Sequence, residues 1–275
     1  MTLTELNQQK NEYFKYLLTI GIVAMEGRGF EYPVDCLPSK SGLIYVSNKS
    51  RNEGVRGVRI SMLNLKSEYF GEFGLFGDQD GLLTSPSGIA EDQDGNVLIL
   101  DEVLNRLTIY SQDGTYIDKW EPSTASGHSL NGPSSLTVDP NGDVVVSDTG
   151  NHRIVKFDKD GKLISSFGSE GTFPGEFRYP WGITVDNLNN LYVSDWGNNR
   201  VQVFSADGAF LISLTGDAQV PAMWHQWTID ANLDVYKARR RVDTLEPEWT
   251  FMFPTGVEFD TKKRRVLVAD TQRGR

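Results

Sequence analysis

A chain of 275 residues with 27 Gly, 11 Pro, 11% aromatic and 23% charged residues has the composition of a turn-rich, ordered all-β protein. Its formal charge of −10 repels phosphate backbones and anionic lipid headgroups. A single cysteine, Cys36, excludes an intrachain disulfide and a multi-cysteine metal site.

The first apolar stretch, Tyr13 to Met25, contains Lys15 and Gly21, lacks a basic leader, and is too short to span a bilayer. It reads as a strand, which points to a cytoplasmic chain with no membrane segment. Tyr13 to Gly21 matches the pattern of Lys162 to Gly168, yet no companion strands precede it.

From Pro33 onward the chain repeats. Pro86-Ser-Gly-Ile-Ala-Glu-Asp92, Pro133-Ser-Ser-Leu-Thr-Val-Asp139, Pro180-Trp-Gly-Ile-Thr-Val-Asp186 and Pro254-Thr-Gly-Val-Glu-Phe-Asp260 share one frame, with Asp92, Asp139 and Asp186 each 47 residues apart. A period of this size marks a repeat architecture. Each frame runs through a turn such as Asp139-Pro-Asn-Gly142 into an apolar strand such as Val144 to Ser147, which is a hairpin signal. Then follows Asp148-Thr-Gly-Asn-His-Arg153, with counterparts at Asp101 to Arg106, Asp195 to Arg200 and Asp270 to Arg275. A third strand, a second Asp-Gly turn and a fourth strand complete the unit, and four antiparallel strands per repeat make one propeller blade.

The expected fold is therefore an all-β, six-bladed β-propeller in a single domain, 1–275. Its blades are expected near 30–75, 83–121, 130–168, 177–215, 223–251 and 252–275. Residues 13–21 are expected to close the ring as the final strand of the last blade, which is nevertheless expected to be incomplete, one strand short. Cys36, on an inner strand, is expected to be a buried structural thiol. The hydrophobic residue three before each Pro (Phe30, Leu83, Leu130, Phe177, Phe251) reads as a plug between blades.

Asn151-His152-Arg153 after Asp148, and Asn198-Asn199-Arg200 after Asp195, resemble the motif of the NHL-repeat family over most of residues 14 to 275. Membership implies a β-propeller and leaves activity open, because similar propellers serve as interaction platforms, RNA binders and metal-dependent lyases.

The recurrence of Asp101, Arg106, Asp148, Asn151, Arg153, Asp195, Asn198, Arg200 and Asp270 assigns them a structural role, as ion pairs and turn hydrogen bonds inside each blade. Deviations from the repeat are the better site candidates. Aligning Asp230 with Asp186 puts Trp224-His225-Gln226-Trp227 in place of Pro-x-Gly-Ile, and Lys237 in place of the motif Asp. The long fourth-to-first and second-to-third connections share one face, and variable loops on a rigid frame carry most binding sites. Trp181, Trp196, Trp224, His225, Gln226, Lys237 and Asp35 are the candidate ligand-binding residues there.

The favoured function is a non-enzymatic, monomeric scaffold that binds a protein segment or small ligand without a cofactor. One alternative is a lyase or hydrolase with zinc or calcium at the channel mouth near Asp35 and His225. It meets the difficulty that only three His exist and no His cluster is evident. The other is single-stranded RNA binding through the basic run Lys237 to Arg241, against which the overall charge weighs.

Overall fold

The computed structural model describes residues 18–21, 29–50, 55–121, 129–217, 226, 230–241 and 249–272. Four antiparallel four-stranded sheets follow one another along the chain. The first holds β1 (Pro33–Pro38), β2 (Ile44–Asn48), β3 (Arg59–Leu63) and β4 (Tyr69–Phe73). The second holds β5 (Pro86–Glu91), β6 (Val97–Asp101), β7 (Arg106–Tyr110) and β8 (Tyr116–Trp120). The third holds β9 (Ser135–Val138), β10 (Val144–Asp148), β11 (Arg153–Phe157) and β12 (Leu163–Phe167). The fourth holds β13 (Pro180–Val185), β14 (Leu191–Asp195), β15 (Arg200–Phe204) and β16 (Phe210–Leu214). A two-stranded sheet, β17 (Pro254–Asp260) with β18 (Arg265–Asp270), comes last.

The turns explain why each hairpin closes where it does. Asp139 Oδ1 accepts the backbone N–H groups of Asn141 and Asp143, and Gly142 sits at φ +92°, a conformation that costs glycine little. Asp158 and Gly161 repeat the device at the next turn of the blade.

Hydrophobic cores lie between blades rather than within them. Tyr45, Ile60 and Phe73 of the first blade pack with Leu83, Ile89 and Ile99 of the second. Leu98 and Leu100 pack with Leu130, Leu136 and Val146. Val145 and Ile154 pack with Phe177, Ile183 and Phe204. The plug residues Leu83, Leu130 and Phe177 are buried in these three layers, where truncation to Ala costs about 2–5 kcal/mol.

The six-bladed expectation is corrected: among the described residues four blades of four strands are present, followed by a two-stranded sheet. The expected fifth blade, 223–251, shows no strand among its described residues, which include a short helix, Leu233–Arg239. Pro254 comes 74 residues after Pro180, one period plus 27, which is short of the two full periods that a complete extra blade would take. The frame at Pro254 packs directly on the fourth blade, where Tyr192 stacks on Phe259 at 5.8 Å between ring centres. The proposed closing strand, 13–21, lies outside the described residues except for 18–21, which are in no strand.

Cys36 is likewise corrected: it is exposed, not buried. Alternation along β1 gives the reason. Asp35 and Leu37 turn toward the second blade, where Asp35 Oδ2 accepts the Ile89 N–H at 3.1 Å and Leu37 packs on the first core. Val34 and Cys36 take the opposite face, which is exposed.

Candidate functional site

The Asp and Arg of the motif build the frame that holds the long loops. Asp148 and Asp195 are fully buried. Asp195 Oδ2 receives Arg200 Nε at 2.8 Å and Asn198 Nδ2 at 2.9 Å, and Asp148 Oδ2 receives Arg153 Nε at 2.7 Å and Asn151 Nδ2 at 2.9 Å. The guanidinium ends then donate to loop carbonyls, Arg200 to Thr172, Phe173 and Glu176, and Arg106 to Asp78, Gln79 and Leu82. Asp101 instead accepts four backbone N–H groups, from Thr84, Ser85, Val103 and Leu104.

The same frame fixes the residue two before each Pro through its backbone alone. Thr84, Asn131, Arg178 and Met252 each donate their N–H at 2.7 Å to Asp101, Asp148, Asp195 and Asp270 respectively. Glu31 donates at 3.2 Å to Asn48, which stands at the acid's position in the first blade. The residue just before the Pro is tied to the neighbouring blade. Asn105 Oδ1 accepts from Gly132 N–H at 2.7 Å, His152 Nδ1 from Tyr179 N–H at 3.1 Å, and Asn199 Oδ1 from Phe253 N–H at 2.8 Å. Tyr179 and Phe253 are held at φ +57° and +54°, a strained setting for non-glycine residues that such surrounding bonds sustain.

On this frame the fourth blade departs from its siblings by placing indoles where others have Val, Ser or Thr after the Pro, and Lys, Glu or Thr after the motif acid. Trp181 and Trp196 lie 6.3 Å apart. Tyr179 meets Trp196 edge-on at 6.3 Å, Phe253 tilts against Trp196 at 4.6 Å, and His152 lies 4.6 Å from Tyr179. Tyr179 and Trp181 are 45% and 39% exposed, so the cluster is a surface platform spanning the third, fourth and fifth sheets.

The candidate residues thus separate. Trp181 and Trp196 come together. Asp35 serves the junction of the first two blades, with Oδ1 accepting the Cys36 N–H at 2.8 Å and Oδ2 the Ile89 N–H. Burial pushes its carboxyl up to about 6. Burial first, and Asp35 second, also raises Glu258, and the Cys36 thiol is raised by crowding, Asp35 and Glu258. Gln226 donates to Asp230 at 2.7 Å, and Lys237 is exposed on the short helix. Trp224 and His225 lie outside the described residues. Among the described residues no group of three or more His, Cys, Asp or Glu could hold a metal ion, and no helix is long and apolar enough to cross a membrane. Sequence reasoning did not single out Phe253 or Arg178; their places one and two before a frame Pro were the available signal.

Radial four-stranded sheets with cores between them define a β-propeller. The NHL repeat family matches residues 130–157 and 177–204, each running from a plug residue to the end of a third strand. These two matches support an NHL-repeat β-propeller. No curated protein matches. Among solved structures it resembles a catalytically inactive virginiamycin B lyase from Staphylococcus aureus with quinupristin, at 15% identity and a TM-score of 0.55, covering 86% of this chain and 63% of that one. An auxiliary nutrient binding protein from Bacteroides thetaiotaomicron VPI-5482 is similar at 10% identity and a TM-score of 0.59, covering 90% and 58%. A putative gluconolactonase is similar at 14% identity and a TM-score of 0.56, covering 88% and 72%. The chain spans less than two thirds of the first two proteins, and at these identities the likeness is one of fold.

Proposed function

We propose that this propeller is a non-enzymatic binding scaffold that holds a ring-bearing small ligand, or an aromatic side chain of a protein segment, on the platform of Tyr179, Trp181, Trp196 and Phe253. The observation that carries this reading is the convergence of four aromatic rings from two sheets on the long-loop face, two of them well exposed. Exposed indoles offer large apolar faces to a planar partner at small cost in side-chain entropy. Their backbone is fixed by buried bonds to Asp195 and by bonds to neighbouring blades, so the surface is preorganised. The fold alone does not decide the matter, since binding proteins and lyases share it.

Screening small aromatic compounds by calorimetry tests the proposal. Trp196→Ala and Trp181→Ala should each weaken a hit about tenfold, or about 1.4 kcal/mol, while Tyr32→Ala, exposed on the first blade, should not. Unchanged affinity in both Trp variants would sink the reading. Stoichiometric zinc or calcium in the purified protein would instead favour the metal-dependent lyase or hydrolase.

A further inference from the structure

We propose that Arg178 is the anion-recognising group of this platform, so that its preferred small ligand is a planar ring carrying a carboxylate. The proposal rests on the reading of the platform as a ligand site and adds its charge preference.

The residue two before the frame Pro has the same backbone role in all five frames, yet its side chain is Glu31, Thr84, Asn131, Arg178 or Met252. Scaffold demands are met by the N–H group, which leaves the side chain free to serve another purpose. Only the fourth frame puts a cation there, and it is the frame that also supplies Tyr179, Trp181 and Trp196.

The stem of that cation lies over the turn that carries Trp196. The Arg178 Cγ and Cδ atoms run so close over Gly197 that a Cβ at that position would lie 2.6 and 2.9 Å from them. Gly197 follows Trp196 and donates its N–H to the Arg178 carbonyl at 2.8 Å. The arginine stem thus crosses the turn beside the indole, at a glycine that the Arg178 carbonyl, 2.8 Å from the same Cβ position, already calls for. Arg178 is exposed and forms no ion pair among the described residues. Arg153 and Arg200, on the same face, are already paired with Asp148 and Asp195. An uncommitted guanidinium beside an aromatic surface matches a ligand with an apolar ring and a carboxylate, which it can grip through two parallel bonds.

Calorimetry on the intact chain with indole-3-acetate, indole and tryptamine tests this, because the three share a ring and differ in charge. Indole-3-acetate should bind about fivefold more tightly than indole, the range of an exposed ion pair, and tryptamine more weakly than indole. Arg178→Gln should bring indole-3-acetate down to the affinity of indole, and Arg178→Lys should retain part of the preference. Equal affinities in the wild type, or a preference that survives Arg178→Gln, overturns the role of Arg178 and leaves the platform standing. No binding of any of the three overturns both.

Discussion

Nδ1 of His152 accepts the backbone N–H of Tyr179 at 3.1 Å, and this bond joins the third blade to the fourth beneath the aromatic platform. Asn105 and Asn199 do the same work at the adjoining junctions through a side-chain oxygen. His152→Asn should therefore preserve the junction. His152→Ala should lose about 1 kcal/mol, lowering the melting temperature by about 2–4 °C. Equal melting of His152→Ala and wild type would show that the bond contributes nothing.

Asp195 gathers Arg200, Asn198, Gln202 and the Arg178 N–H around one fully buried carboxylate. Removing it strands a guanidinium and several donors. Asp195→Ala should cost about 3–5 kcal/mol, read from the urea midpoint, and should also loosen the loop that carries Arg178.

Gly182 lies where β13 meets β17. A methyl group there would overlap the Thr255 carbonyl oxygen and come within 3.0 Å of the Val257 nitrogen, both backbone atoms. Gly182→Ala should push the last sheet away and expose residues 254–270 to limited proteolysis. Gly256→Ala, whose added methyl would meet only the Ala269 Cβ at 3.5 Å, should remain as resistant as wild type.

Asp35 gives stability a defined dependence on pH. Its carboxyl is raised from 3.8 to about 6 by burial, so the folded state binds its proton more tightly than the unfolded chain. That contribution is complete below about 3.8 and is lost as pH rises through about 6. Asp35→Asn should flatten this part of the urea-midpoint profile between pH 4 and 7. With one negative charge gone, Cys36 should also react faster with iodoacetamide near pH 8, since Asp35 helps to raise its thiol.

The blades were legible because their signals are local: the Asp of each turn, the Asp and Arg of each motif, and the 47-residue spacing all act within one sheet or its edge. The ring was not. Residues 223–251 carry apolar and aromatic side chains that resemble a frame by composition, yet the interval from Pro180 to Pro254 is one period plus 27, too short for a further full blade. Cys36 was misjudged for a related reason. Its strand type was evident, while the exposure of one face depends on what packs beside β1, which is a long-range matter. Trp181 and Trp196 were named with Asp35 as residues of one face; the two indoles meet, Asp35 lies at the junction of the first two blades, and Phe253 reaches the indoles only through the junction between sheets.

The backbone clasp shared by Glu31, Thr84, Asn131, Arg178 and Met252 has an evolutionary consequence. Because the clasp uses no side-chain atom of these residues, one codon at each can change without rewriting the fold. The face thereby offers five separately mutable addresses, and new recognition can be acquired one blade at a time.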